Sequence, residues 1–224
     1  MASYLENELA KLKTAIIKIS NLAESQVFEA MGILTSEPIS EKKDIKKAEH
    51  KIDKLDNEIE DICQTVFALQ QPVASDLRFI MSAMQITNEM ERIGDLAMSI
   101  IKLSKNINNK HDLVGKFNIS DIAREVEQVN IKTNLCFQTL GEAIISEVFV
   151  INSTIKTKSD DAIENIITEM KANLKAIVSG TNLILVLKHM ERIGEHCTNI
   201  AESVYFMINA KIIKHEKNKD KKSE

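Results

Sequence analysis

Apolar residues recur along most of this chain at intervals of three or four positions, with polar residues between them. A repeat of about 3.6 residues places apolar side chains on one face of an α-helix, whereas a half-buried strand alternates every second residue. The pattern runs without interruption from Ile45 to Leu69, from Phe79 to Ile100 and from Val186 to Met207. The Ile, Leu, Val and Met residues of these segments are interpreted as core positions of long amphipathic helices. The pattern therefore predicts an all-α fold.

Turn and loop signals divide this helical pattern. Breaks are predicted at residues 36–40, 70–75, 106–120, 150–154 and 179–181. Pro38 and Pro72 carry the first two breaks, and the third is the most polar internal stretch, with Asn118 placed as the N-cap of the next helix. Six helices are predicted, over residues 3–35, 41–70, 75–106, 119–148, 153–178 and 182–213.

Two segments on the third and sixth predicted helices are nearly alike. They read NEMERIGDLA, at residues 88–97, and KHMERIGEHC, at residues 188–197. Each follows two other predicted helices, so the chain is interpreted as an internal duplication, a tandem repeat of two three-helix bundles. The predicted domains are a first repeat over residues 1–108, a second repeat over 116–213 and a lysine-rich flexible tail over 214–224.

Composition narrows the function classes. An aromatic content of 4% without tryptophan argues against base-stacking surfaces, and a net charge of −4 gives no general attraction to nucleic acid or anionic lipid. The three scattered cysteines are interpreted as buried apolar residues in a reducing compartment. No uncharged stretch reaches the roughly 20 residues of a membrane span, and the N-terminus carries charges where a signal peptide needs an apolar run. These features predict a cytoplasmic protein without direct membrane insertion.

Each repeated motif places two acids four residues apart, on one face of its helix: Glu91 with Asp95, and Glu191 with Glu195. Each pair lies nearly opposite the apolar stripe and is predicted to face outward. The glycine between the two acids costs the helix about 0.8–1 kcal/mol relative to alanine. A glycine in that position indicates that some group approaches the helix closely.

The second helix of each repeat carries a comparable acid pair, Glu49 with Asp53 and Asp160 with Glu164. If each pair lies level with its motif across a hairpin, the turns fall near Pro72 and near residue 178, where the chain has turn signals. Four carboxylates at one level form an oxygen-rich site that suits a hard cation. The alternative is that acids at this spacing form an ordinary solvated face, with Arg92 and Arg192 in surface ion pairs. The candidate metal ligands are Glu49, Asp53, Glu91, Asp95, Asp160, Glu164, Glu191 and Glu195.

The segments ERIGDLA and ERIGEHCTNIAE, together with residues 70–95, closely resemble the PhoU family of phosphate-signalling regulators. The resemblance spans essentially residues 5–210. It implies tandem three-helix bundles whose acidic motifs bind iron, zinc or other metals at the surface. It also implies a cytoplasmic, dimeric negative regulator of phosphate uptake and of phosphate-starvation genes. The implied partners are the ATPase subunit of the phosphate transporter and a sensor histidine kinase.

The match to the family motifs is uneven. Glu195 stands where the second motif usually has aspartate, which keeps the charge but lengthens the side chain. Ser99 and Lys102 replace the asparagine and glutamate often found after the first motif, whereas Asn199 and Glu202 preserve them after the second.

Two other functions remain open from the residues alone. A carboxylate-bridged metal enzyme needs a Glu-x-x-His pair on each of two core helices, and this sequence contains no Glu-x-x-His. A purely structural helical scaffold is the other alternative. His196 is either a peripheral ligand beside Glu195 or a surface or packing residue. The leading prediction is a regulatory adaptor without catalytic turnover.

Overall fold

The computed structural model describes residues 4–35 and 43–212, with the side chains of 4–35 and 50–212. These residues form helices and connecting turns, and no strand occurs among them. The elements are α1 (Tyr4–Thr35), α2 (Lys43–Gln70), α3 (Ala74–Ser104), α4 (Lys110–Lys116), α5 (Ile119–Thr139), α6 (Glu142–Ala172), a short 3₁₀ helix (Leu174–Ala176) and α7 (Ile177–Asn209). The all-α prediction is confirmed.

Six long helices form two groups of three, α1–α3 and α5–α7, with α4 between them. Within the first group α1 packs against α2 and α3, and within the second α6 packs against α5 and α7. The groups join where α3 lies along α7 and α1 lies along α5. The buried apolar side chains form one continuous core through both groups, so burial of the interface between repeats contributes to the same core as the bundles themselves.

The predicted break at residues 150–154 is wrong. Helix α6 runs through this stretch, where Thr154 Oγ1 donates to the carbonyl of Val150 at 3.1 Å. The β-branched residues Val150, Ile151 and Thr154 therefore do not end the helix. The break lies instead at Leu140 and Gly141. Leu140 has a left-handed backbone with φ of 52°, and Gly141 is extended. The fourth helix is therefore shorter than predicted, and the fifth begins earlier and is longer.

The second hairpin turn is also displaced from its predicted position near residue 178. Asn173 takes an extended conformation, and its side chain accepts a hydrogen bond from Lys175 N at 3.1 Å. Gly180 lies inside α7, where a Cβ would meet Met170 Sδ at 2.6 Å. Ser179 accepts a hydrogen bond from Asn108 N at 3.1 Å. Both turn signals are thus packing positions of a helix.

The linker between the repeats contains the short helix α4, whereas the sequence predicted only a loop there. Lys110 donates through Nζ to the carbonyl of Ile33 on α1, which anchors the start of α4. Asn118 does occupy the N-cap position of α5, with φ of 53°, but its side chain makes no capping hydrogen bond. The predicted domain boundaries stay a prediction, and the predicted tail at 214–224 lies outside the described residues.

The three cysteines are buried and free, as the sequence predicts. Burial raises the pKa of Cys63 and Cys136 to about 11 and that of Cys197 to about 12. These thiols therefore stay protonated near neutral pH and pack as apolar residues.

Candidate functional site

The glycine of the first motif faces the interior of its bundle. Gly94 is buried on α3, and a Cβ there would lie 2.5 Å from Gln26 Oε1 on α1 and 3.5 Å from Ile52 Cδ1 on α2. The group that approaches the helix closely is therefore a side chain of a neighbouring helix.

The glycine of the second motif has the same role with different partners. A Cβ at Gly194 would overlap Asn152 Oδ1 and would lie 3.5 Å from Ile155 Cδ1, and both residues belong to α6. The close approach expected at each glycine is thus made by a side chain of the same bundle. Each glycine lets α3 or α7 seat closely in its own bundle.

The acids of the first motif lie beside further carboxylates of α2. Burial, followed by the negative charges of Asp56, Asp95 and Asp53, raises the pKa of Glu91 above its ordinary value, although Arg92 opposes the shift. Arg92 Nη1 lies 3.8 Å from Asp95 Oδ2, with both side chains more than half exposed. The first hairpin turn lies at residues 71–73, as predicted, so α2 carries its acids to the level of the motif. We call Asp53, Asp56, Glu91 and Asp95 the first-repeat acid cluster.

Asp56 is a member of this cluster that the sequence analysis missed. Burial, and after it the negative charges of Glu60 and Asp53, raise the pKa of Asp56. Its position three residues after Asp53, on the same helix face, is the sequence signal that could have identified it. Glu49 lies on α2, but its side chain is outside the described part of the chain.

The second motif is arranged differently, because a lysine stands among its acids. Lys188 Nζ donates to Glu191 Oε1 at 2.8 Å and Oε2 at 2.9 Å, and lies 3.5 Å from Asp160 Oδ1. The hydrogen bond to Glu191 raises the pKa of Lys188. The Glu191 side chain is only 12% exposed, so it does not face fully outward as predicted. The first motif has Asn88 at the position of Lys188.

The remaining second-repeat candidates lie apart from this contact. Glu164 and Glu195 are exposed, and neither makes an ion pair with any described residue. The displaced turn explains the arrangement: Gly194 is level with Asn152 and Ile155, so Asp160 and Glu164 lie closer to the turn than the motif does. The structure thus brings Asp160 and Glu191 together through an ammonium group.

A bound metal needs several donors converging on one point. Within residues 4–35 and 50–212, no three His, Cys, Asp or Glu side chains are placed to hold a metal ion. The first-repeat acid cluster has the donor type that a hard cation prefers and carries mutual repulsion that a cation would relieve. In the second repeat, Lys188 lies between Asp160 and Glu191 and supplies a positive charge there.

Polar contacts between the repeats follow the line where α3 meets α7. His196 Nδ1 lies 2.5 Å from Glu89 Oε2, and Asn199 Nδ2 donates to the same oxygen at 3.1 Å. Burial alone would raise the pKa of Glu89, but the hydrogen bonds from His196 and Asn199 outweigh it and lower the pKa. His196 is 17% exposed. Of the two interpretations of His196, the structure supports packing between the repeats.

Comparison with known proteins matches the PhoU domain family to residues 16–104 and 119–204, once for each repeat. A relative from Pseudomonas aeruginosa, named phosphate-specific transport system accessory protein PhoU homolog, is 25% identical over 209 residues, covering 93% of this chain and 86% of that protein. A relative of the same name from Clostridium acetobutylicum is 28% identical over 218 residues, covering 92% of this chain and 94% of that protein.

Solved structures agree in fold. The crystal structure of PhoU from Pseudomonas aeruginosa superposes with a TM-score of 0.82 at 24% identity, covering 92% of this chain and 99% of that one. The phosphate transport system regulatory protein PhoU from Streptococcus pneumoniae gives a TM-score of 0.79 at 20% identity, covering 94% and 99%. None of the helices in the described residues has the length and apolar character that a membrane span requires.

Proposed function

The chain belongs to the PhoU family, and we propose on this premise that it regulates phosphate uptake and phosphate-starvation signalling as a cytoplasmic helical adaptor rather than as an enzyme. The observation that carries the proposal is the match of both repeats to one family model. The chain also aligns with most of the length of relatives that are named as phosphate-specific transport system accessory proteins. A protein of this kind acts by binding, so its function resides in its surfaces.

The proposed partners are the ATPase subunit of a phosphate transporter and a sensor histidine kinase, and the proposed assembly is a homodimer. Binding to the ATPase would restrain uptake, and binding to the kinase would hold starvation genes repressed when phosphate is plentiful. Neither contact is proposed to involve membrane insertion of this chain.

A deletion strain tests this proposal. Removal of the gene is expected to raise the rate of radiolabelled phosphate uptake in phosphate-rich medium and to switch on a starvation-gene reporter. Expression of the full chain is expected to reverse both effects, and the purified chain is expected to bind the ATPase subunit. Unchanged uptake and unchanged reporter expression in the deletion strain would refute the adaptor function.

We also propose that a divalent cation, with iron or zinc as the leading candidates, binds at the first-repeat acid cluster. The support is the clustering of carboxylates around half-buried Glu91 and the absence there of a lysine equivalent to Lys188. The bound cation would supply a positive charge that lowers the mutual repulsion of these acids.

Metal analysis of the purified full chain tests this second proposal. A variant with Asp53→Asn, Glu91→Gln and Asp95→Asn is expected to lose bound metal after dialysis against iron or zinc. The matched variant with Asp160→Asn, Glu191→Gln and Glu195→Gln is expected to keep it. Equal metal content in the wild type and the first variant would show that these acids are a solvated face.

A further inference from the structure

A groove between α1 and α2 on the first repeat combines an apolar floor with a lysine rim. Leu22 of α1 and Leu55 of α2 are half-buried along it, and Lys18, Lys51 and Lys54 line its edges. Asn21 and Glu58 complete the lining. The groove has a volume of about 450 Å³. Three ammonium groups against one carboxylate make this surface positive in a chain whose net charge is −4.

The three lysines are not used by the fold. None of them makes an ion pair or hydrogen bond with any of the described residues, and all three side chains are exposed. An ammonium group that holds two helices together has a carboxylate of the other helix within reach, and no described ion pair joins α1 to α2.

In the corresponding helix pair of the second repeat, α5 and α6, lysines form ion pairs across the two helices. Lys132 Nζ lies 2.6 Å from Glu147 Oε2, and Lys158 Nζ lies 2.7 Å from Glu125 Oε1. Both ion pairs join α5 to α6, so these lysine charges are paired within the bundle. The contrast indicates that the charges on the α1–α2 groove are available for another molecule.

We propose that the α1–α2 groove docks an acidic amphipathic helix of a partner protein. Two packed helices leave between them a channel that a third helix can enter with its apolar face, at interaxial distances of about 8–10 Å. The half-buried Leu22 and Leu55 receive that apolar face, and the lysine rim pairs with glutamate or aspartate on its flanks. Exposed ion pairs contribute little affinity each, so they mainly steer association and set the orientation of the partner.

The shape and composition of the groove favour this occupant over two other anionic ones. A free phosphate ion would make no use of the apolar floor. A bilayer surface is broad and needs apolar side chains that project outward, whereas Leu22 and Leu55 are half-buried between two helices. The inference deepens the proposed adaptor function by naming the surface that one partner occupies.

A peptide titration of the full chain tests the docking site. The probe is a fluorescent synthetic helix with leucine every three or four positions and glutamate elsewhere, and its control is a peptide of the same composition with the leucines scattered. At about 0.15 M salt, the wild type is expected to bind the patterned peptide at least about tenfold more tightly than the scattered one, because only the patterned helix fills the apolar floor.

A matched pair of charge-reversal variants separates the groove from general electrostatics. The variant Lys18→Glu, Lys51→Glu, Lys54→Glu is expected to weaken peptide binding about tenfold, which corresponds to three weak ion pairs. The variant Lys156→Glu, Lys171→Glu, Lys175→Glu changes the net charge equally on exposed residues of the second repeat and is expected to weaken binding less than about twofold. Far-ultraviolet circular dichroism and the thermal midpoint confirm that both variants fold.

Several results would overturn the proposal. Equal losses in the two variants, or equal affinity for the two peptides, would show that no docking site exists. Loss of phosphatidylglycerol vesicle binding in the groove variant alone would assign the surface to a membrane, and competition by phosphate beyond that of chloride at equal ionic strength would assign it to a small anion. A dimer that becomes a monomer only in the groove variant would assign it to a second copy of the chain.

The deletion strain separates this proposal from the adaptor function itself. If the groove variant restores control of phosphate uptake as well as the wild type does, the adaptor function stands and the groove is not its docking surface. If the wild-type chain restores nothing, the adaptor function fails whatever the peptide results are.

Discussion

In the first repeat the motif glutamate Glu91 faces other carboxylates, whereas in the second repeat the corresponding Glu191 holds a lysine ammonium group between itself and Asp160. The two motifs share the Glu-Arg-Ile-Gly sequence and the same seat for the glycine. Three positions before the glutamate the first motif has Asn88, whereas the second has Lys188, which supplies the ammonium group. A duplicated motif can therefore keep its packing role while its charge environment diverges.

The largest expected effect concerns the part that the two motifs share. Gly94→Val and Gly194→Val are each expected to lower the free energy of unfolding by about 1–3 kcal/mol, because the added side chain overlaps Gln26 or Asn152 of a packed neighbour. Urea denaturation measures both. Gly32→Val is the matched control, since a Cβ at Gly32 meets no atom within 4 Å, and it is expected to change stability by less than about 0.5 kcal/mol. A loss in the control as large as in the motif variants would contradict the packing role.

The next largest effect is expected from substitutions of Lys188 and of Asn88, its counterpart in the first motif. Lys188→Met is expected to lower the free energy of unfolding by about 1 kcal/mol, because it leaves the mostly buried Glu191 carboxylate without its donor; Lys188 is 47% exposed, so solvent screening limits the loss. Asn88→Lys is expected to raise stability by about 0.2–0.5 kcal/mol by giving Glu91 a partner three residues away. Denaturant midpoints of the two single variants and the double variant measure this, and a stabilising Lys188→Met would break the comparison.

The smallest effect is a difference in sign between equivalent glutamates. In metal-free, chelator-treated protein at pH 7, Glu91→Gln is expected to raise stability by a few tenths of a kcal/mol, because it removes a charge that neighbouring acids disfavour, whereas Glu191→Gln is expected to lower it by a similar amount. An acid whose pKa is raised by folding binds its proton more tightly in the folded state, so the penalty from Glu91 is present above the raised pKa and disappears as the pH falls below its ordinary value of 4.5.

Urea midpoints at pH 7 and at about pH 4 provide the measurement for these two glutamine variants. The advantage of Glu91→Gln over the wild type should shrink at the lower pH, because the wild-type carboxyl becomes neutral there too. Changes of the same sign in both variants at pH 7 would remove the distinction between the repeats.

The all-α fold and the position of the first hairpin turn were predictable from the sequence, because both rest on local signals. A long run with one apolar face has few other ways to bury itself, and Pro72 interrupts the backbone hydrogen bonding at the first turn. The second hairpin was not predictable in the same way. Gly180 is indistinguishable locally from a turn glycine, and only the position of Met170 on the neighbouring helix makes it a packing residue. Gly141 does not by itself indicate a break, because a single glycine is often tolerated inside a helix.

The candidate site divides in the same manner. Spacing along one helix identified Glu91 with Asp95 and Glu191 with Glu195, since residues four apart share a face whatever the tertiary structure. Which charges meet across two helices depends on where the hairpin turns, and the displaced second turn changed the group that meets Glu191. Lys188 lies three residues from Glu191 on the same helix, so the sequence alone indicates that the two can pair. The low exposure of the Glu191 side chain, which makes the contact important for stability, comes from tertiary packing.

The contact between α3 and α7 has a consequence during synthesis of the chain. Glu89 finds its partner His196 only 107 residues later along the sequence. At translation rates of about 5–20 residues per second, α7 leaves the ribosome roughly 5–20 s after α3. Throughout that interval the flank of α3 that α7 will cover stays open to solvent and to other nascent chains. A chain that ends before Ile177 would therefore keep this flank of α3 exposed, and the first repeat completes its burial only when α7 has been synthesised.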